Sequence, residues 1–392
     1  MRIAISGAGI AGPTLAFWLL RNGHEITLIE KAPHFRAGGY VIDFWGVGYT
    51  IAERMGILPQ VHEAGYSIRE VRFLDRHGNR ASGFEADVFR RMTEGRFTSL
   101  PRGDLASIIY RAIEGRIESL FGNTITGIEE CADDVLVTLE HETPRSFDLV
   151  VGADGQHSGV RRLVFGPESA YEKPLGYHVA AFRIEGYRPR DESIYISHAQ
   201  PGRQVARVSL RNDQTMFLFV FANEHMPPKP EPGDLAERKA ILHRVFDDTG
   251  WECPQILQAM DRVDEIYFDR VSQIVMPAWS KGRVVLVGDA AACASLLAGE
   301  GSSLAMAEAY VLAGELQRAG NDHCEAFRQY EQRLRLFIEG KQKSARKFAG
   351  SFIPKTRLGV WFRNQVMKLL AIRPIANFFI GDLRDDFDLP SE

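Results

Sequence analysis

The first thirty residues alternate between two short apolar runs and a longer stretch with helical spacing. Residues 2–6 and 25–29 form the two runs, which predict buried strands. Between them, residues 13–21 place their apolar side chains on one side of a predicted helix. The N-terminal pattern is therefore that of a β-α-β unit.

A glycine-rich turn joins the first predicted strand to this helix. Gly7, Gly9 and Gly12 form GxGxxG, and Ala11 lies within it. The first glycine permits a tight turn, the second lets the backbone approach a pyrophosphate, and the third lets the helix pack closely on the strand. Because a helix N-terminus offers free N–H groups to phosphates, these residues are candidates for dinucleotide binding.

An acidic residue closes the second strand. Glu30 follows Gly12 by eighteen residues, a spacing at which a carboxylate can accept a hydrogen bond from a ribose hydroxyl. The predicted site includes the neighbouring Lys31. It also includes Arg36, which can pair with a phosphate or lie on the surface.

Two stretches raise the question of a membrane. Residues 3–20 carry no charge and follow Arg2, as in a signal peptide or membrane span. We favour the nucleotide interpretation, because glycines and Pro13 interrupt the stretch and Glu30 would otherwise have no role. Residues 366–380 form an amphipathic tail that is too short and too charged to span a bilayer.

A second glycine-aspartate pair follows a predicted strand in the middle of the chain. Residues 147–151 lead into Gly-Ala-Asp-Gly, in which Asp154 can bind a sugar or ribityl hydroxyl and Gly155 permits close backbone approach. Arg102, just ahead of a predicted helix, is a candidate partner for a cofactor phosphate or ribose. Taken alone, it would be an ordinary exposed arginine.

A third pair follows the apolar strand predicted over residues 282–287. After it comes a small-residue loop and a helix predicted over residues 304–317. A helix that starts from a glycine-rich loop offers N–H groups and a positive dipole to an anion. The candidate cofactor-binding residues here are Gly288, Asp289, Gly299, Gly301 and Ser302.

Four β-rich segments without intervening helices predict an inserted antiparallel sheet. They cover residues 177–184, 193–197, 204–210 and 214–221. The apolar face of this sheet can line a pocket with an arginine as anchor, or it can be a sheet core with ordinary surface arginines. The candidate substrate residues are Phe182, Arg183, Arg207, Phe219 and, in the loop before the last predicted helix, Leu297.

Composition narrows the class of protein. With 392 residues, of which 45% are hydrophobic, the chain can form two domains or one domain with a large insertion. A net charge of −4 argues against a nucleic-acid binder. The four cysteines are widely separated, so we expect no metal site and reduced thiols in a cytoplasmic protein.

The three glycine motifs together resemble the class A flavin-dependent monooxygenases of the para-hydroxybenzoate hydroxylase type. The similarity covers residues 7–12 with Glu30, residues 148–161 and residues 288–301. It implies an α/β fold, with a Rossmann-like FAD-binding domain, an inserted antiparallel β-sheet substrate domain and a C-terminal helical tail. The expected bounds are 1–170 and 270–345 for the first domain, 171–269 with part of 65–100 for the second, and 346–392 for the tail.

The resemblance also implies roles for individual residues. Glu30 would hold the adenosine ribose, Arg36 and Arg102 would line the FAD chain, and Asp289 would bind its ribityl or pyrophosphate part. Asp154 would serve FAD and a transiently bound NADPH or NADH. The reaction would hydroxylate an aromatic or polycyclic molecule with O2 through a flavin C4a-hydroperoxide, in a monomer or homodimer. No side chain is assigned as nucleophile, acid or base.

Departures from the family pattern lie in the last motif. Ala292 and Leu296 replace the usual His and Pro, and Glu300 and Ser303 replace Gln and Asn. A negative charge at Glu300 disfavours anionic reduced flavin unless it is paired or turned to solvent. Residues 291–295 and 309–316 resemble the branch that contains tetracycline-inactivating and polyketide-tailoring enzymes. The alternatives are a flavin reductase or dehydrogenase without oxygen insertion and a non-catalytic ligand-binding protein.

Overall fold

The computed structural model describes residues 1–35, 39–227, 233–295, 299–320, 322–369 and 387–390, and for residues 348–352 it gives the backbone alone. The strands are β1 (Arg2–Ser6), β2 (Glu25–Glu30), β3 (Val41–Trp45), β4 (Glu70–Leu74), β5 (Arg80–Glu85), β6 (Phe97–Pro101), β7 (Glu118–Phe121), β8 (Ile125–Glu130), β9 (Val135–Leu139), β10 (Arg145–Phe147), β11 (Leu149–Gly152), β12 (Glu172–Glu185), β13 (Ile194–Gln200), β14 (Arg203–Ser209), β15 (Gln214–Ala222), β16 (Tyr267–Ile274), β17 (Ser280–Lys281) and β18 (Val284–Leu286).

The helices complete the described architecture. They are α1 (Ala11–Arg21), α2 (Gly46–Arg54), α3 (Leu58–Ala64), α4 (Asp87–Met92), α5 (Arg102–Arg111), α6 (Gly159–Val164), α7 (Leu235–Phe246), α8 (Cys253–Met260), α9 (Asp289–Ala292), α10 (Gly301–Arg318), α11 (His323–Phe352) and α12 (Arg357–Leu369).

The first sheet brings the three glycine motifs to one edge. Its order is β17-β18-β11-β1-β2-β7, and every pairing is parallel except that of β17 with β18. Ser6 of β1 is opposite Gly152 of β11, which in turn is opposite Leu286 of β18. The residues that follow these three strands therefore meet at the carboxyl edge, where open α/β sheets bind ligands.

The second sheet is mostly antiparallel and has two distinct faces. Its order is β16-β12-β15-β14-β13-β4-β5, with β13 and β4 parallel. One face packs against α7 and α8 in a separate apolar cluster. The other faces the two-stranded sheet of β3 and β6, where the backbone N–H of Val41 contacts the sulfur of Met216 at 3.2 Å.

This arrangement confirms the predicted α/β fold with an inserted antiparallel sheet. The sheet also includes β16 and, from the 65–100 stretch expected to lie partly in the substrate domain, β4 and β5. The division of the chain into domains stays a prediction. In the tail, α11 ends at Phe352 and α12 begins at Arg357, earlier than the helix predicted from residue 366, because Pro354 interrupts the run. Residues 370–386 of that prediction lie outside the described residues. Among the helices described, none is long and apolar enough to cross a membrane.

Candidate active site

The first turn leaves no space for a side chain at two of its glycines, Gly7 and Gly12. Gly7 has a φ of 109°, and a Cβ there would lie 2.5 Å from the carbonyl oxygen of Ala153. A Cβ on Gly12 would lie 2.0 Å from the carbonyl oxygen of Gly7. These contacts explain both glycines by packing of β1, α1 and the end of β11. No side chain caps α1, which starts at Ala11, so the first N–H groups of the helix are available to an anion.

Glu30 lies beside this turn, as predicted. Its carboxylate accepts hydrogen bonds from the backbone N–H groups of Ala8 and Ala32, both at 2.9 Å. The side chain thus ties the end of β2 to the glycine turn. Lys31 is exposed, and Arg36 lies outside the described residues.

Arg102 reaches over the turn from the first position of α5. A Cβ added to Gly9 would lie 3.7 Å from Nη2 of Arg102. A Cβ added to Gly39 would lie 3.6 Å from the Cβ of Arg102. Its charge acts on Asp289: burial raises the pKa of that carboxyl, and Arg102 opposes the rise. The structure therefore brings Arg102 together with residues of the first and third motifs.

In the second motif, Asp154 is engaged by its own loop. Its carboxylate accepts hydrogen bonds from the hydroxyl of Ser158 and from the N–H groups of Gly159 (2.8 Å) and Val160 (3.1 Å), which caps α6. Gly155 has a φ of 81° and faces open space. The ligand role of Asp154 stays a prediction.

A buried arginine connects the second and third motifs. Arg161 is 0% exposed and donates to the carbonyl of Ala290 at 3.0 Å and to the carboxylate of Glu168 at 3.0 Å. It also donates to the carbonyl of Gln156. The two loops are therefore fixed relative to each other by one side chain.

A buried carboxyl holds the third motif. Gly288, with a φ of 63°, donates its N–H to Oε2 of Glu308 at 2.7 Å, and the hydroxyl of Tyr330 lies 3.1 Å from the same oxygen. Burial raises the pKa of Glu308 to about 8, although these two donors lower it in part. Glu308 therefore binds a proton far more readily than an exposed glutamate does.

The loop after Gly288 lies against the start of α10. A Cβ on Gly301 would lie 3.9 Å from Oδ1 of Asp289, and Ser302 is buried. Gly299 has a φ of 70° and faces open space. The sulfur of Cys293 is buried, 3.7 Å from Oε1 of Gln156.

Glu300 forms an ion pair. Pairing is one of the two conditions under which its negative charge would not disfavour anionic reduced flavin. Both of its carboxylate oxygens lie close to Nζ of Lys341, at 3.1 and 3.0 Å. The two side chains are 7% and 8% exposed. The lysine comes from α11, far along the chain.

One face of the second sheet forms the opposite wall of this site. Arg183 donates to the carbonyl of Gly39 at 2.7 Å, and the rings of Tyr40 and Tyr267 lie 6.1 Å apart. Asp43 is accessible between the two walls and accepts a hydrogen bond from the hydroxyl of Ser99 at 2.6 Å. Burial still raises the pKa of Asp43, because protein surrounds the gap.

The residues present fit a flavin dinucleotide. A glycine-rich turn, an uncapped helix N-terminus and the guanidinium of Arg102 converge at the edge of a parallel sheet. The side-chain amide nitrogen of Gln156, beside Cys293, is buried with no hydrogen-bond partner among the described residues. A buried donor of this kind needs an acceptor.

Comparison with known proteins decides the family. Residues 1–339 match the model of a family described as FAD binding domain. A flavin-dependent monooxygenase of Legionella longbeachae is 34% identical over 361 residues, covering 91% of this chain and 90% of that protein. The chain belongs to the class A FAD-dependent monooxygenases. FAD is therefore its cofactor.

Two solved structures resemble the monooxygenase over nearly their full length. The tetracycline destructase Tet(55) is 30% identical with a TM-score of 0.85, covering 100% of this chain and 98% of that one. Klebsiella pneumoniae HpxO, complexed with FAD and uric acid, is 24% identical with a TM-score of 0.80, covering 98% and 97%. The second likeness concerns the fold alone.

The other predicted substrate residues of the monooxygenase lie away from this gap. Phe182 and Phe219 are 4% and 0% exposed in the cluster that packs on α7 and α8. Arg207, also buried, pairs with Glu252 and Asp191, both at 2.8 Å. The structure brings Arg183 to the site and places these three on the opposite face. Leu297 lies outside the described residues.

Sequence reasoning missed four residues of the site: Asp43, Arg161, Glu308 and Lys341. Asp43 and Glu308 had a signal, since each is an acidic residue among mostly apolar neighbours in the sequence. The ion pairs of Arg161 and Lys341 had none, because each partner is recognised only in the fold. The described residues contain no group of three or more His, Cys, Asp or Glu that could hold a metal ion.

Proposed function

We propose that this monooxygenase hydroxylates an electron-rich aromatic or enolic ring in a polycyclic, tetracycline- or polyketide-like molecule, with NADPH or NADH as transient reductant. The observation that carries the proposal is the gap between the two walls. Tyrosine rings, Arg183 and Asp43 border it, and these groups suit a flat molecule with oxygen substituents.

The likeness to Tet(55) supports this substrate class. That protein is described as a tetracycline destructase, and 30% identity extends over 100% of this chain. The match includes both walls of the gap. A substrate of similar size and polarity is consistent with these walls.

The side chains divide the work of binding between the two walls. FAD supplies the oxygen chemistry when it is bound. Its anionic part would be held by Arg102, the turn from Gly7 to Gly12 and the N-terminus of α1. The second sheet presents Arg183 to an acidic or enolic oxygen of the substrate.

The alternative without oxygen insertion gains no support from Glu300. A lone carboxylate at Glu300 would disfavour a reduced flavin, but the carboxylate is paired with Lys341. Ala292, in place of the usual histidine, is buried among small residues and leaves the loop intact. The reductase hypothesis therefore rests on Ala292 and on Leu296, which lies outside the described residues.

The proposal is tested by turnover of the FAD-loaded protein with a panel of phenols, quinones, tetracyclines and polycyclic polyketides. NADPH and NADH consumption, H2O2 release and product mass are followed together. We expect at least one polycyclic compound to accelerate oxidation and gain one oxygen atom with little peroxide. Oxidation matched by peroxide with every compound would favour the reductase. Tight ligand binding without NAD(P)H oxidation would favour a binding protein.

A further inference from the structure

A buried ion pair joins the first turn of α10 to the middle of α11. Nζ of Lys341 lies 3.1 and 3.0 Å from the two oxygens of Glu300, and both side chains are more than nine-tenths buried. Charges in such a position are only weakly screened by solvent and salt. The pair therefore acts electrostatically on whatever lies next to it.

The pair lies next to the cofactor site. Glu300 directly precedes α10. A Cβ placed on Gly301, the first residue of that helix, would lie 3.9 Å from Oδ1 of Asp289. Gly288, before Asp289, is packed against Ala11 at the start of α1. The N-termini of α1 and α10 thus converge on the same small-residue loop.

The charges at this point have opposite effects on a bound anion. A helix N-terminus carries about half a positive charge. A single carboxylate at Glu300 would outweigh this charge, whereas the cation of Lys341 restores it. Reduced flavin is anionic at neutral pH, so it responds to this balance more strongly than oxidised flavin does.

We propose that Lys341 is a positioning residue that neutralises Glu300, and that the pair sets how strongly the N-terminus of α10 favours reduced over oxidised FAD. The inference rests on the FAD of the family. It does not depend on the proposed substrate or on NAD(P)H.

The surroundings of Lys341 keep it at Glu300. Its ammonium lies 5.7 Å from the ring centre of Trp45 and 5.5 Å from that of Phe337. The hydroxyl of Ser303, in the first turn of α10, donates to the carbonyl of Trp45 at 3.0 Å. The aromatic ring that flanks the lysine is therefore tied to the helix whose charge the lysine balances.

The neighbouring residue on α11 holds the same loop further back. The side-chain amide of Gln342 donates to the carbonyl of Cys293 at 3.1 Å and to that of Ile274 at 2.8 Å. One turn of α11 thus contacts the residues on both sides of the loop. This arrangement fixes the distance between the ion pair and the third motif.

The experiment measures the midpoint potential of bound FAD by dye equilibration during enzymatic reduction, without substrate or NAD(P)H. It compares wild type with Lys341→Met, Glu300→Gln and the double variant. Lys343→Met is the matched control, because Lys343 is an exposed lysine on the same helix. FAD content and thermal unfolding show which variants are folded and loaded.

We expect the two single variants to move the potential in opposite directions. Lys341→Met removes the cation that lies against Glu300, which makes the potential more negative and lowers the preference for reduced over oxidised FAD by about tenfold. Glu300→Gln leaves the lysine cation and makes the potential more positive. The double variant returns close to wild type, and Lys343→Met stays at wild type.

Shifts of both single variants in the same direction would overturn the proposal, because a packing role predicts them. An equal shift of the potential in Lys343→Met would overturn it as well, since the effect would then come from the net charge of the protein and not from the ion pair. If Lys341→Met fails to bind FAD, the other two variants still test the proposal. It requires a more positive midpoint potential in Glu300→Gln and a return toward the wild-type potential in the double variant. If the protein hydroxylates none of the compounds but its variants show these potentials, the proposed function is refuted and the inference about the ion pair stands.

Discussion

Two adjacent rows of side chains cross the second sheet on opposite faces and have opposite environments. The first row, toward the gap, contains Arg183, Met216, Val208 and Tyr195 in direct register. The second row, toward α7 and α8, contains Phe182, Phe217 and Arg207. Their members are neighbours in the sequence, yet one row borders the candidate substrate gap and the other lies in a closed core.

The comparison teaches that an arginine has different surroundings on each face. Arg207 is 2% exposed and its charge is matched by Glu252 and Asp191. Arg183 contacts a backbone carbonyl of the other wall, with burial lowering the pKa of its guanidinium. The first arginine stabilises the sheet, and the second is available to a ligand.

The largest expected effect comes from the closed core. Phe219→Ala removes a fully buried ring that lies 4.9 Å from the ring of Phe246 on α7. We expect a loss of about 3–5 kcal/mol in the free energy of unfolding. Its neighbour Leu218 lies on the other face, against the cluster that contains Val179 and Val220, and is only half-buried, so Leu218→Ala should cost clearly less. Equal losses in urea unfolding would contradict the difference between the faces.

The next effect tests the buried arginine. Arg207→Ala leaves Glu252 without this cation and Asp191 with only the more distant Arg72, at 3.9 Å, and both carboxylates are partly exposed, at 18% and 29%. We expect a loss of about 2–3 kcal/mol, below the value for a fully buried pair. Turnover per folded molecule should stay close to wild type. A fall in turnover without loss of thermal stability would place Arg207 in the reaction.

Arg183→Ala is the matched change on the other face. It removes the bond to Gly39 and the cation at the gap, while the sheet core is untouched. We expect kcat/KM for the accepted substrate to fall about tenfold, as for loss of one charge-assisted hydrogen bond, and the melting temperature to change little. Steady-state kinetics and thermal unfolding measure the two quantities. The reverse outcome would assign Arg183 to stability.

Sequence and structure agree where the constraint is local. Gly7 and Gly12 were predictable because a turn between a strand and a helix that pack closely admits no larger side chain, and the structure shows that contact. The face of the second sheet was not predictable, because both faces carry apolar residues and strand alternation gives no direction. Phe219 and Leu218 are neighbours in one strand, but Phe219 packs against α7 and α8 and Leu218 lies on the other face.

Long-range partners set the other limit. Glu308 bonds to a backbone N–H twenty residues away, and Lys341 pairs with a glutamate forty-one residues away. Such distances are unrelated to helical or strand spacing, so they emerge only when the elements pack. The composition of the site could be predicted from its motifs, but the side chains that hold those motifs could not.

The smallest effect concerns Asp43, which faces the Tyr195 end of the first row. Burial raises its pKa above the ordinary 3.8, so the folded protein retains this proton to a higher pH than the unfolded chain does. The free energy of unfolding therefore falls as the pH rises above about 4. Asp43→Asn does not titrate, so it should gain stability relative to wild type between pH 4 and 7.

Ser99→Ala removes the hydroxyl that opposes the rise in the pKa of Asp43, so it should steepen the decline of stability with pH in the protein that keeps Asp43. Thermal unfolding across this range measures both. A wild type that gains stability over the asparagine variant as the pH rises would mean that Asp43 is stabilised as the anion, and that the gap presents a carboxylate to the substrate.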